Sequence, residues 1–278
     1  TLLRISPSEH VLIMDIHHIL TDGSANRIFV QDFIALYKSA VMQEDSGLPP
    51  VAIPYHEYAI DEQSHPERWQ SLLEKWKQTY SPPPDLELPF DFPRPYTINQ
   101  FGADFIETLD KDLTQDLMAL TEKAGCTIFM TLSTILQVLL YRYTGQRSFG
   151  LGMPMSGRTK LEYEEIGGIM RNSIPLNIRI DPALSFSARL QLVRREILNC
   201  LQYQRVPFEK MVQAVIPDRD RLDNRLYSVI TQYQNRMPPV QLPGGLVMSR
   251  ISLDHIFTFF DLRYDFFKDG KDIGYRII

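Results

Sequence analysis

Short apolar runs alternate along the chain with longer segments whose apolar positions recur every three or four residues. The run "VLIMDI" (Val11–Ile16) carries one charge, and its length suits a buried strand. Continued in extended form to His18, it would place Val11, Ile13, Asp15 and His17 on one side and Leu12, Met14, Ile16 and His18 on the other. "DGSANRIFVQDFIALYKSA" reads as a helix, with Ile28, Phe29, Phe33, Leu36 and Tyr37 on one stripe and Asp22 or Ser24 as its cap. "HPERWQSLLEKWKQTY" is a second amphipathic helix, with Trp69, Leu72, Leu73 and Trp76 along one face. "SPPPDLELPFDFPRP" holds six prolines in fifteen residues, a stiff connector that marks a boundary between residues 1–100 and 101–278.

Beyond the connector, "DLTQDLMALTEKAG" is a helix closed by Gly125. "TIFMTLSTILQVLLYRYTG" starts at a Thr127 cap and is apolar around most of its circumference, so it predicts a buried helix. "SFGLGMPMSGR" is a strand leading into a tight turn. "SIPLNIRI" alternates, with Ile174, Leu176, Ile178 and Ile180 on one face. "FSARLQLVRREILNCLQ" is a helix, "LYSVITQYQ" a strand, and "FFDLRYDFFKDGKDIGYRII" a hairpin turning at Asp269-Gly270. Strands and helices mix throughout, which makes the fold class α/β (α+β).

At 278 residues, 44% hydrophobic and 23% charged, the chain is long enough for a large core and ordinary for a globular protein. A net charge of −5 argues against nucleic acid as a partner. The stretch Ile128–Tyr141 is too short and too polar to span a bilayer, so no membrane role is expected. Cys126 and Cys200 supply neither a disulfide framework nor a zinc spacing, which fits a reducing cytoplasm. The chain opens at Thr1 without methionine, as an excised piece does.

Candidate chemistry concentrates in "HHILTDG" (His17–Gly23). Asp22 lies where a strand would turn into a helix, Gly23 permits a close approach there, and the helix N-terminus adds positive potential. The plain alternatives are a hydrogen-bonded structural histidine and a capping aspartate. Metal binding is disfavoured, because neighbours pointing to opposite sides of a strand do not share one ion.

The motif resembles the HHxxxDG signature of the condensation domains of nonribosomal peptide synthetases, and other stretches match that family in order. "YHEYAI" (Tyr55–Ile60) resembles its Tyr-x-Asp-Tyr-Ala motif, with Glu57 for aspartate. "LPFDFPRP" resembles its proline connector, and "GMPMSGR" its strand ending in Gly-Arg. "IGGIMRNSIPLNIRI" resembles its Ile-Gly-x-Phe-Val-Asn-Thr stretch, keeping Asn172 but replacing the phenylalanine. "YQRVPFEKMV" resembles Gln-Asp-x-Pro-Phe-Glu, with Arg205 for the acid, and "FFDLRYDF" resembles its Phe-Asp-Leu strand.

The resemblance implies a two-lobed fold similar to chloramphenicol acetyltransferase. Only sixteen residues precede His17, where family members carry a long segment with an Arg-His-x-x-Leu-Arg stretch. Part of the first lobe is therefore expected to be missing from this chain, and the segment alone is expected to lack turnover. The implied reaction joins an upstream carrier-bound acyl or peptidyl thioester to the amine of a downstream carrier-bound aminoacyl thioester. The resemblance implies no cofactor bound covalently to the domain itself. Substrates arrive on phosphopantetheine of carrier domains, with an adenylation domain adjacent, in the bacterial cytoplasm. By resemblance His18 is the catalytic histidine, either as base or by positioning the amine. His17, Asp22 and Gly23 are supporting residues, and Asp22 pairs with an arginine of the other lobe, for which Arg158 is the first candidate and Arg171 the second. The rival readings are a coenzyme-A-dependent acyltransferase of the same fold and a non-catalytic condensation-like binding module.

Overall fold

A computed structural model describes residues 1–81, 84–92, 101–216, 226–234, 236–251 and 256–278. They form two compact units, each discontinuous in sequence. The first comprises Thr1–His65, Ser156–Arg171 and Val240–Met248, and the second Pro66–Met155, Asn172–Pro239 and Ser249–Ile278. Among the described residues no single helix is long and apolar enough to cross a membrane.

In the first unit a short antiparallel pair, Leu2–Arg4 with His10–Leu12, precedes helix α1 (Gly23–Met42) and helix α2 (Tyr55–Ser64). The extended run expected to continue to His18 ends at Leu12. Past Leu12 only Ile13 stays hydrogen-bonded to the first strand, through the nitrogen and oxygen of Thr1 at 2.8 and 2.7 Å, and Leu12, Ile13, Met14 and Ile16 are exposed. The chain then tightens into a 3₁₀ turn over His18–Leu20. The cause is local: the His17 ring accepts the Ile19 backbone N–H at 3.1 Å, and such side-chain-to-backbone bonds compete with the strand ladder. The alternation that would set His17 and His18 on opposite sides of a strand therefore does not operate.

Helix α2 has no side-chain cap, following Pro54 directly. Its Tyr55 and Tyr58, with Ile53, pack against Tyr163, Ile166 and Met170 in this unit's aromatic-rich core.

The second unit is built on a six-stranded sheet in the order Phe105–Thr108, Asp272–Ile277, Leu262–Asp269, Val229–Gln234, Ser148–Met155, Asn172–Arg179. Val229–Gln234 is parallel to both of its neighbours, and the other pairings are antiparallel. Helices α3 (Glu67–Thr79), α4 (Lys111–Lys123), α5 (Ile128–Thr144), α6 (Phe186–Leu201) and α7 (Phe208–Val215) complete it. Helix α5 starts at the Thr127 cap and stops at Gly145 in the left-handed region. Val229 joins the core made with α5 and α6, whereas its neighbour Ile230 joins the core made by Trp76, Met211 and Tyr227. Successive residues point to opposite faces, so the two cores lie on opposite sides of the sheet.

The described part of the proline connector lies on the second unit. Leu86 is buried in the α5–α6 core, and Gln146 grips the backbone through Asp85 O at 2.8 Å and Glu87 N at 2.7 Å. Pro82, Pro83 and residues 93–100, including the last residues of "LPFDFPRP", lie outside the described residues.

Candidate active site

The segment from His17 to Ala25 is fixed by hydrogen bonds that give the two imidazoles opposite roles. Nδ1 of His17 accepts the Ile19 N–H, so that nitrogen carries no proton and the neutral ring holds its hydrogen on Nε2. Nδ1 of His18 lies 2.5 Å from the carbonyl oxygen of Thr21. A carbonyl only accepts, so here Nδ1 carries the proton and Nε2 keeps its lone pair. Both rings are exposed.

Thr21 and Asp22 are buried beneath the histidines. The Thr21 hydroxyl donates to Asn26 Oδ1 at 2.7 Å, which ties the carbonyl that meets His18 to the first turn of α1. Asp22 caps that helix, accepting the Ala25 N–H at 2.9 Å. Gly23, the first residue of α1, has open space around its Cα, so no close approach requires glycine there.

Asp22 also receives Arg158 Nη1 at 3.0 Å on Oδ2 and 3.3 Å on Oδ1, and the N–H groups of Met170 and Arg171 at 2.9 and 3.0 Å. Side-chain exposure of this ion pair is 0% for Arg158 and 2% for Asp22. Burial pushes the Asp22 acid up, but the Ala25 N–H, Arg158 and the Met170 N–H together outweigh it and hold the carboxyl below its ordinary value. Its oxygens are thus occupied by N–H donors and a guanidinium, a setting suited to a structural anion rather than to a metal ligand.

Arg158 sits in a closed loop from Ser156 to Arg171. Its Nη2 donates to the carbonyls of Ile166 at 3.0 Å and Gly168 at 3.1 Å. Gly157 closes the loop with φ +72°, where a Cβ would lie 1.8 Å from the Met170 oxygen. Asp22 and Arg158 both belong to the first unit, so their bond is internal to it. Arg171, the second candidate for pairing with Asp22, meets it through the backbone N–H.

Sequence reasoning did not single out Thr21 or the amides of Met170 and Arg171, because they act through backbone groups that every residue carries. In the second unit Asn172 donates Nδ2 to the carbonyls of Gln204 (2.9 Å) and Val206 (2.6 Å) and accepts the Phe208 N–H at 3.1 Å. It thereby fastens "YQRVPF" to the start of a sheet strand.

Residues 1–269 match the family model of the condensation domain. Phosphinothricin tripeptide synthetase PhsC of Streptomyces viridochromogenes is 33% identical over 82% of this chain, which spans 21% of that protein. Tyrocidine synthase 3 of Brevibacillus parabrevis is 28% identical over 99% of this chain, which spans 4% of it. Among solved structures, the X-domain from teicoplanin biosynthesis superposes with a TM-score of 0.79 at 21% identity, over 99% of this chain and 65% of that one. The first condensation domain of the CDA synthetase superposes with a TM-score of 0.73 at 17% identity, over 94% of this chain and 57% of that one. At those identities the structures show a shared fold, and the family match carries the assignment. The chain belongs to the condensation-domain family.

Proposed function

We propose that the domain from which this chain comes forms an amide bond between two carrier-bound substrates, with His18 acting on the attacking amine. The observation that carries the proposal is the 2.5 Å contact from His18 Nδ1 to the Thr21 carbonyl, within a motif held by Asp22 and Arg158. It leaves a basic nitrogen at Nε2. The downstream aminoacyl amine attacks the carbonyl of the upstream thioester, the C–N bond forms and the C–S bond breaks. Nε2 accepts the amine proton, or accepts its hydrogen bond and orients the nitrogen lone pair, and the upstream thiol departs with a proton. His17, Asp22, Gly23 and Arg158 shape the turn that presents His18.

The partners on this reading are the upstream and downstream carrier domains, whose phosphopantetheine bears the substrates, and a neighbouring adenylation domain. The tripeptide synthetase and tyrocidine synthase relatives support it, as does a fold match to a four-domain nonribosomal peptide synthetase. The bacterial cytoplasm is the proposed location, consistent with those bacterial relatives.

A second reading is a condensation-like binding module, favoured by a solved complex of the X-domain with OxyB that shares this fold at a TM-score of 0.76. The intact histidine geometry favours catalysis. The test is single-turnover condensation by the parent polypeptide with pre-loaded donor and acceptor carriers. His18→Ala is expected to lower the rate by about 10²–10⁴ without changing the melting temperature. Near-unchanged turnover in His18→Ala would overturn the catalytic reading, and comparable rates from a free coenzyme A donor would favour the acyltransferase alternative.

A further inference from the structure

The Tyr55–Ile60 stretch has no part in the chemistry proposed above, yet Tyr55 touches the loop that holds Asp22. A Cβ built on Gly168 would lie 2.1 Å from Cδ2 and 2.3 Å from Cγ of the Tyr55 ring. The ring therefore rests directly on the Gly168 Cα, in space that only glycine leaves open. The carbonyl of that same Gly168 accepts Arg158 Nη2 at 3.1 Å. Arg158 Nη1 reaches Asp22 at 3.0 Å, Asp22 caps α1 at Ala25, and the adjoining Thr21 carbonyl accepts the His18 Nδ1–H. An unbroken series of packed and hydrogen-bonded contacts, all within the first unit, thus runs from the Tyr55 ring to the His18 imidazole.

We infer that Tyr55 is a positioning residue for His18: its ring sets the Gly168 carbonyl against Arg158, and through Asp22 and Thr21 it fixes which imidazole nitrogen carries the proton. The required feature is a flat ring against a glycine, so phenylalanine suffices and an aliphatic chain does not. Tyr58 supplies the internal control. It packs in the same core, edge-to-face with Tyr163 at 5.2 Å, whereas the ring on Gly168 is that of Tyr55. Tyr58 also lies beside Tyr55, with ring centroids 6.2 Å apart, and its loss is expected to cost packing while the Tyr55 ring stays on Gly168.

The inference rests on the catalytic reading of His18 for its effect on rate but not for its effect on the ring. The experiment is ¹⁵N NMR of the chain with labelled histidine, His18 being assigned by His18→Gln. The two ring-nitrogen shifts report the tautomer populations. The wild type is expected to show the Nδ1–H form. In Tyr55→Leu the ratio of Nε2–H to Nδ1–H should rise at least about tenfold, with Tyr55→Phe restoring the wild-type ratio. In the parent polypeptide kcat should fall by about 10²-fold with KM for the loaded carriers unchanged. Tyr58→Leu should lower the melting temperature and leave the tautomer alone. An unchanged ratio in folded Tyr55→Leu, or an equal shift in Tyr58→Leu, overturns the inference. If Tyr55→Leu does not fold, Tyr55→Met, which fills the same face with an unbranched chain, is judged by the same shift. A wild type without condensation activity would refute the catalytic reading while leaving the NMR result to decide the positioning role.

Discussion

Replacing Asp22 with alanine deprives four donor groups of their acceptor at one stroke, and the cost can be bounded from the geometry. The carboxylate is the cap of α1, worth about 1 kcal/mol, and it serves the buried amide of Met170 and that of Arg171. A buried N–H left without a partner costs about 1–3 kcal/mol. Above all it neutralises Arg158, whose side chain is fully buried. Breaking a buried pair from one side costs about 3–5 kcal/mol, because the surviving charge stays desolvated. These contributions overlap, so the largest sets the floor: at least about 3 kcal/mol, against a typical total of about 5–15. At about 2–4 °C per kcal/mol for chains of this size, Asp22→Ala should melt at least about 6 °C lower. Asp22→Asn keeps the shape but turns an amide toward three donors, so it should also destabilise. The double variant Asp22→Ala/Arg158→Met should recover part of the loss, giving a coupling energy of at least about 2 kcal/mol in a double-mutant cycle. The acid limb follows from the same carboxylate. Its folded pKa lies below the unfolded one, so its stabilisation is complete above about pH 4 and fades as pH falls through the depressed folded value. Asp22→Asn should flatten that limb. Thermal unfolding across pH provides the assay. A coupling energy near zero, or Asp22→Ala within about 1 °C of wild type, would refute the account.

Two further substitution and reactivity outcomes follow from local geometry. Gly157→Ala places a Cβ 1.8 Å from the Met170 carbonyl at a left-handed φ, and should cost more than about 1 kcal/mol by the strain of that conformation alone; a melting temperature equal to wild type would contradict the close approach. Burial and then the Glu196 carboxylate push the Cys200 thiol up to about 12, so at pH 8 only about 10⁻⁴ of it is thiolate. Iodoacetamide followed by peptide mass spectrometry should label Cys126 well before Cys200, and equal labelling would refute the burial argument.

Most of the fold was legible because its signals are local. The stripe of α1, the Thr127 cap of α5, the alternation of Ile174, Leu176 and Ile178, and the Asp269-Gly270 turn each sit within a few residues, and each element is present. Helix α2 carried no such signal: it lacks a side-chain cap, and its Tyr55 and Tyr58 face a loop more than a hundred residues away. The run Val11–Ile16 misled for the opposite reason. Its apolar content suits a strand, but the chain beyond it turns into the 3₁₀ helix at His18, where the His17 ring takes the Ile19 N–H.

The candidate site divides along the same line. "HHILTDG" pointed to the region, and the family resemblance named Asp22 and Arg158, but neither showed what distinguishes two adjacent histidines. Alternation along a strand offered one mechanism, and the 3₁₀ turn removes it. The distinction instead comes from what each Nδ1 meets: a backbone N–H for His17, a backbone carbonyl for His18. A donor forces one tautomer and an acceptor forces the other, so two chemically identical side chains present Nε2 differently, as an N–H on His17 and as a lone pair on His18. Residue type carries no record of this, since any residue at position 19 or 21 brings the same amide and carbonyl. The identity of Thr21 matters one step further back, where its hydroxyl anchors that carbonyl to Asn26. The two histidines thus differ through backbone groups, and the turn that carries them runs into a carboxylate that joins Ala25 to Arg158, Met170 and Arg171, more than 130 residues away.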